Sequence, residues 1–276
     1  MEQEARLRKG EKEMAYGYTS IAERNGIHAD MGMDFGVLRL AAQDVFEDDQ
    51  PLERAYLLVY GEIEFAWDGN TQTVSRKNCF DESPWVLHVP SGVKVKITGV
   101  GPDSEVTVHR TENERAFPAR LYAPQDIPDE NRGAGTMNEM CTRIVRTVLD
   151  KSLAPWSNFV FGEVINIPGK WSSYPPHVHV HPEIYYYKFN PEGGYGYSEY
   201  GDDVIKVENN DTVFIQPNYT HPQVAGPGYA LWYMWIIRQD EKDPYQPPKY
   251  PHYIPEHEYI KEKGAKIWAP GHPLDE

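Results

Sequence analysis

The strongest constraint on the fold is a succession of short apolar runs cut by glycine, proline and Asp-Gly-type turns. Segments 35–40, 55–60, 62–67, 85–89, 93–97 and 106–108 recur at intervals suited to strands of a sandwich or barrel. The run Glu62-Ile63-Glu64-Phe65-Ala66-Trp67 alternates polar and apolar side chains and meets Asp68-Gly69-Asn70, a hairpin-turn signal. A second series follows at 142–148, 158–167, 183–189, 204–207, 212–215 and 230–237. Between them, 118–135 is rich in Pro, Gly, Asp and Asn and reads as a crossover. The turn Pro90-Ser91-Gly92 after one strand echoes Pro217-Asn218-Tyr219 after another. An all-β protein of two tandem halves is therefore expected, with residues 1–125 and 126–240 as the halves. Residues 2–14 have helix-compatible composition. Residues 241–276 form a tail rich in Pro, Tyr and charge, too short for a core of its own and expected to pack on the body.

Composition removes several classes of function. The chain carries 27 basic and 42 acidic residues, a net charge of −15, which disfavours a broad nucleic-acid surface. No apolar run approaches the ~20 residues of a membrane helix, and the first residues lack the apolar stretch of a signal peptide, so a cytoplasmic protein without nucleic-acid or membrane partners is expected. With two cysteines, Cys79 and Cys141, neither a disulfide scaffold nor a four-thiolate metal site is available. Both read as small buried hydrophobes. Exposed barrel edges and the extended tail make a homo-oligomer the expected state.

The chemistry concentrates in Tyr174-Pro175-Pro176-His177-Val178-His179-Val180-His181-Pro182-Glu183. In a strand His177 and His179 share a face, roughly 6–7 Å apart, a spacing that lets two imidazoles close on one cation. Glu183 adds a carboxylate, and a returning strand brings His221 as a fourth ligand. Three imidazoles and a carboxylate suit one divalent transition metal, with Zn, Mn, Fe, Ni and Co all open. His181 has the same parity, but Pro182 bends the chain behind it, so it is expected outside the ligand set.

The pattern His177-x-His179-x3-Glu183, followed by Pro217 and His221, resembles the two signature motifs of the cupin superfamily. The first half has no His-x-His, so the resemblance implies two small jelly-roll barrels, a bicupin, with a metal in the second barrel only. Ser172-Ser173-Tyr174-Pro175-Pro176-His177-Val178-His179, Pro118-Ala119-Arg120-Leu121, Asn190-Pro191-Glu192-Gly193-Gly194-Tyr195 and Tyr219-Thr220-His221-Pro222 further resemble the 5-deoxy-glucuronate isomerase family of myo-inositol catabolism. The short His179–Glu183 spacing is closer to related ketol-isomerases of 4-deoxy-5-ketouronate.

That resemblance implies an aldose–ketose isomerisation of a small anionic sugar acid through a metal-stabilised enediolate. The proton carrier is open among Glu163, Tyr185, Tyr187 and a metal-bound hydroxide; alternation puts both tyrosines on the face of Glu183, itself a catalytic candidate. Arg120, Arg143 and Arg238 are candidates for the substrate carboxylate, with Lys170 and Lys188 weaker ones. An Fe(II) dioxygenase and a non-enzymatic sugar-binding protein are the competing classes.

Overall fold

The computed structural model describes residues 6–262 and 264–271. The protein is almost wholly β, in curled antiparallel sheets. One assembly runs through Arg120–Tyr122, Val86–Val89, Glu53–Trp67, Ser104–Thr111, Asp34–Leu40 and Gly17–Ala22; Val45–Asp48, Val95–Gly99 and Asn70–Arg76 fold over it. The other is a seven-stranded sheet, Leu7–Arg8, Thr212–Ile215, Glu183–Asn190, Ala230–Arg238, Phe159–Asn166, Arg143–Leu149 and Glu130–Arg132, faced by a four-stranded sheet. The helix-compatible start is corrected in part: Arg6 is helical, but Leu7–Arg8 is a strand paired with Thr212 and Val213, and residues 1–5 lie outside the described residues. Edge pairing overrides local helix propensity here.

Each large sheet is apolar on both faces, which explains why its strands read as continuous apolar runs. In Glu53–Trp67, Tyr56 and Leu58 enter the core of the first assembly, while Ala55, Leu57 and Val59 face the other way. Beyond a register shift at Leu58/Tyr60 the inward parity changes to Ile63 and Phe65. Gly61 makes this bend, with φ 103°; a Cβ there would sit 2.3 Å from the Ser104 hydroxyl. In Glu183–Asn190, Tyr185, Tyr187 and Phe189 line the second core, and Ile184 and Tyr186 point to the first assembly. The outward faces meet in a shared core that includes Phe35, Leu57, Phe161, Tyr186, Trp232 and Met234.

Glu163 belongs to that seam, on the side of Phe161 and Ile165 and not on the opposite face with Val164. Arg76 Nη2 donates to it at 2.6 Å and Arg146 Nη1 at 2.8 Å, all three side chains being buried. It is a structural counter-ion and is removed from the candidates for proton transfer. Lys188 is likewise occupied, donating to Glu105 and Asn210 at 2.7 and 2.6 Å. Cys79 and Cys141 are free and buried.

Removing the carboxylate takes from buried Arg76 the carboxylate it is paired with, whereas Arg146 keeps Asp129 at 2.6 Å. Glu163→Ala should therefore cost about 3–5 kcal/mol in urea unfolding. A loss below about 1 kcal/mol would show that solvent screens this pair.

Candidate metal centre and cavity

The second assembly opens on a cavity of about 680 Å³. His177, Glu183, Tyr185 and His221 are on its wall, with Arg143, Ser173, Tyr233 and residues of the tail. His177 sits on the two-residue strand His177–Val178, and Glu183 opens the strand Glu183–Asn190. The loop that carries His221 is tied to the first motif by Asn218 N–H, which donates to the His179 carbonyl at 2.8 Å. The Gln223 side-chain amide holds the His221 carbonyl at 2.7 Å.

The backbone fixes the tautomer of each ring. His177, His179 and His221 turn Nδ1 to the carbonyls of Pro175, His181 and Tyr219, at 2.9, 3.0 and 2.9 Å. A carbonyl only accepts, so each Nδ1 carries the hydrogen and each Nε2 keeps a lone pair. The Nε2 atoms of His179 and His221 then face Glu183 Oε2 at 3.2 and 3.4 Å. Acceptors facing acceptors in a buried site need a proton or a cation between them.

Burial makes the same point through acidity. It pushes the Glu183 carboxyl up to about 7 and lowers His177 to about 4 and His179 and His221 to about 3. The imidazoles are neutral, so their contacts with Glu183 are not ion pairs. His179, Glu183 and His221 offer ligand atoms within 4.8 Å of one another, and His177 lies against His221 with ring centroids 4.9 Å apart. Neutral imidazoles and a carboxylate, each oriented by a second hydrogen bond, form a donor set that fits a divalent transition cation.

The pattern of the KduI/IolB family matches residues 7–260. The chain belongs to this family. It is 31% identical over 194 residues to the 5-deoxy-glucuronate isomerase of Geobacillus kaustophilus, a match covering 65% of this chain and 66% of that protein. The chain thus spans about two thirds of that relative's length. The enzyme of the same name from Bacillus licheniformis is 27% identical over 279 residues, 93% of this chain and 98% of its own. The solved IolB-like protein from Salmonella typhimurium LT2 has the same fold, with a TM-score of 0.79 and 23% identity over 93% of this chain and 99% of that one. A cupin barrel protein from Leptotrichia buccalis aligns over 80% of this chain and 88% of its own, with a TM-score of 0.51 and 12% identity.

For this KduI/IolB chain, sequence reasoning and structure part at several residues. Arg143 is on the cavity wall; Arg120 and Arg238 are not. Arg120 is on the edge strand of the first assembly, exposed and stacked over Tyr122. Arg238 donates to Thr111 and the Gln239 carbonyl beside a separate, smaller cavity. Tyr187 shares the parity of Tyr185 but lies deeper, its hydroxyl donating to Gln223 Oε1 at 2.8 Å, and it is core and not cavity wall. The sequence did not single out Ser173, Tyr233, Tyr245 or Tyr253. Ser173 has φ 51° and places its hydroxyl between those of Tyr185 and Tyr233, at 3.2 and 3.4 Å. No spacing rule signals such a left-handed serine, and the tail tyrosines arrive only through tertiary packing.

Tyr187→Phe should cost about 1–3 kcal/mol of stability, because Gln223 Oε1 loses its buried donor, and should leave the cavity unchanged. Denaturant titration beside a crystal structure of the variant checks this. A collapsed cavity in a fully stable variant would reverse the assignment.

Proposed function

We propose that the chain is a cation-dependent aldose–ketose isomerase that converts 5-deoxy-D-glucuronate to 5-dehydro-2-deoxy-D-gluconate in inositol breakdown. The reading rests on one observation above all: imidazole Nε2 atoms and a carboxylate converge beside a cavity that also holds Arg143, which has no carboxylate partner among the described residues. The isomerase names of the relatives agree with it. On this reading residues 1–125 and 126–240 are two cupin-type barrels, and the second holds the cation.

His177, His179, Glu183 and His221 would hold the ion, zinc before manganese, iron, nickel or cobalt. When bound, it supplies Lewis acidity toward a carbonyl oxygen and the hydroxyl beside it. Arg143 meets the substrate carboxylate. Its Nη1 is occupied by the Cys141 carbonyl at 2.9 Å, which leaves the rest of the fork for an anion. Burial lowers its pKa below the ordinary guanidinium value, yet guanidinium stays charged at neutral pH. Tyr185 contacts Glu183 and Ser173, and burial drives its phenol well above 10. It therefore holds its proton at the phenolic oxygen and acts as a donor to substrate oxygen, not as the base. Val145, Val160, Val164 and Ile237 make the apolar part of the wall that keeps water from the reacting carbons.

Proton NMR in D2O with 5-deoxy-D-glucuronate, before and after chelation, tests the assignment. Conversion that chelation abolishes and zinc restores is expected. No conversion by folded, zinc-loaded protein would overturn it. The short His179–Glu183 spacing supports 4-deoxy-5-ketouronate as the second substrate to offer.

His177→Ala and His221→Ala should each weaken zinc binding by at least about tenfold, the loss typical of disturbing even the outer partners of a ligand. Full zinc content with full turnover would remove that residue from the ligand set. Because the Glu183 proton must leave for the carboxylate to bind a cation, zinc affinity should fall about tenfold per pH unit below about 7 and level off above it. Calorimetric titration between pH 5.5 and 8.5 reads this slope; a flat profile would mean that Glu183 does not give up a proton to the metal.

A further inference from the structure

The third histidine of the His-x-His-x-His run and the tail have no role in the reaction as described, and the structure joins them. His181 is buried, and its Nε2 donates to the carbonyl of Asp243 at 2.6 Å. Its ring stands edge-on to Tyr250, 4.9 Å away, and to Tyr245 at 5.8 Å. The Nε2 hydrogen of His181 is thus committed to the main chain of the tail.

A few further polar anchors hold the same segment. Gln239, fully buried, donates from its amide to the carbonyls of Ser157 and Phe159, and its oxygen accepts from Tyr245 N–H at 3.1 Å. Asp243 accepts from Lys249 and Tyr250 at 2.7 and 2.9 Å. His252–Tyr253 pairs antiparallel with His177–Val178, and Ile254 N–H reaches the Pro176 carbonyl at 2.9 Å. The tail therefore crosses the cavity, and Tyr245, Pro247, Pro251 and Tyr253 form part of its wall. Tyr245 meets His179 edge-on at 5.1 Å, and among the described residues its hydroxyl has no hydrogen-bond partner. A phenol on the wall of a polar cavity with its O–H unspent is a donor awaiting a ligand oxygen.

We propose that residues 239–262 are a built wall of the site, that His181 is the latch that positions this wall, and that Tyr245 makes a hydrogen bond from it to the substrate. The latch is independent of the chemistry; the Tyr245 contact rests on the isomerase reading above. A segment held by point anchors, with no core of its own, docks and undocks as a local unit, so loosening one anchor changes its docking before it changes the barrel.

The test compares zinc-loaded full-length wild type with His181→Phe, His181→Gln and Tyr245→Phe. Three readouts are needed: zinc per chain, the rate of tryptic cleavage after the exposed Lys242 and Lys249, and KM and kcat on 5-deoxy-D-glucuronate. His181→Phe should keep its zinc, be cut several-fold faster in the tail and show a raised KM. His181→Gln, which retains an N–H near the position of Nε2, should restore slow cleavage. Tyr245→Phe should keep zinc and slow cleavage, with KM raised about tenfold and kcat changed by less. Zinc loss in His181→Phe would make His181 a ligand and overturn the latch, as would unchanged cleavage. An unchanged KM in Tyr245→Phe would remove the substrate contact. Wild type that binds zinc and turns over no uronate would overturn the isomerase reading and the Tyr245 contact with it, and cleavage and zinc content would still decide the latch.

Discussion

Three backbone carbonyls, of Pro175, His181 and Tyr219, set the chemistry of the whole site. By accepting from Nδ1 they force each imidazole to turn a lone pair inward. Every other feature of the cavity follows from having to accommodate that convergence. The rings stay neutral because burial opposes their charge, and the carboxylate among them is the one group left to exchange a proton for a cation. The barrel supplies rigidity: His179 is bracketed by its own bond to His181 and by the Asn218 contact from the loop that carries His221.

The two sheet assemblies divide this labour through strand parity. In each large sheet one set of alternate residues lines its own interior and the other set packs against the partner assembly. Thus Val164 belongs to the second interior while Glu163, one residue away, is locked to Arg76 of the first half. The seam combines apolar packing with two buried charged contacts, Glu163 with Arg76 and Arg146 and Lys188 with Glu105, whose geometry is more restrictive than that of an apolar contact. The two assemblies are held in one register, and with them the wall of the cavity.

Much of this was legible in the residues. Turn chemistry and period-two patterning located most of the strands. That His179, Glu183 and His221 come together with His177 beside them was legible because strand geometry makes i and i+2 neighbours and because a carboxylate and a distant histidine accompanied the pair. The errors share one origin. Glu163, Tyr187 and Arg238 have the right chemistry and plausible parity, but parity gives only a face of a sheet, and depth along the strand or the identity of the opposing layer decides whether that face is cavity, core or seam. Arg120 was chosen on motif resemblance, which does not say which sheet edge an arginine occupies. The tail was invisible as part of the site because its contacts, His181 to Asp243 and Tyr245 to His179, join positions more than 60 residues apart without any periodic signal.

The strand Leu7–Arg8 has a bearing on how the molecule comes into being. It completes the edge of a sheet by pairing with Thr212 and Val213, about two hundred residues downstream. During synthesis this segment leaves the ribosome long before its partner strand exists. The first assembly can close on itself, but the outer edge of the second stays uncovered until Val213 has emerged and Leu7–Arg8 has paired with it. Lys9, bonded to Asp211 and Glu208, then clamps the returned end. The strand Leu7–Arg8 is thus among the last to find its place, and until it does, the edge nearest the Glu183 strand is open to the wrong partner.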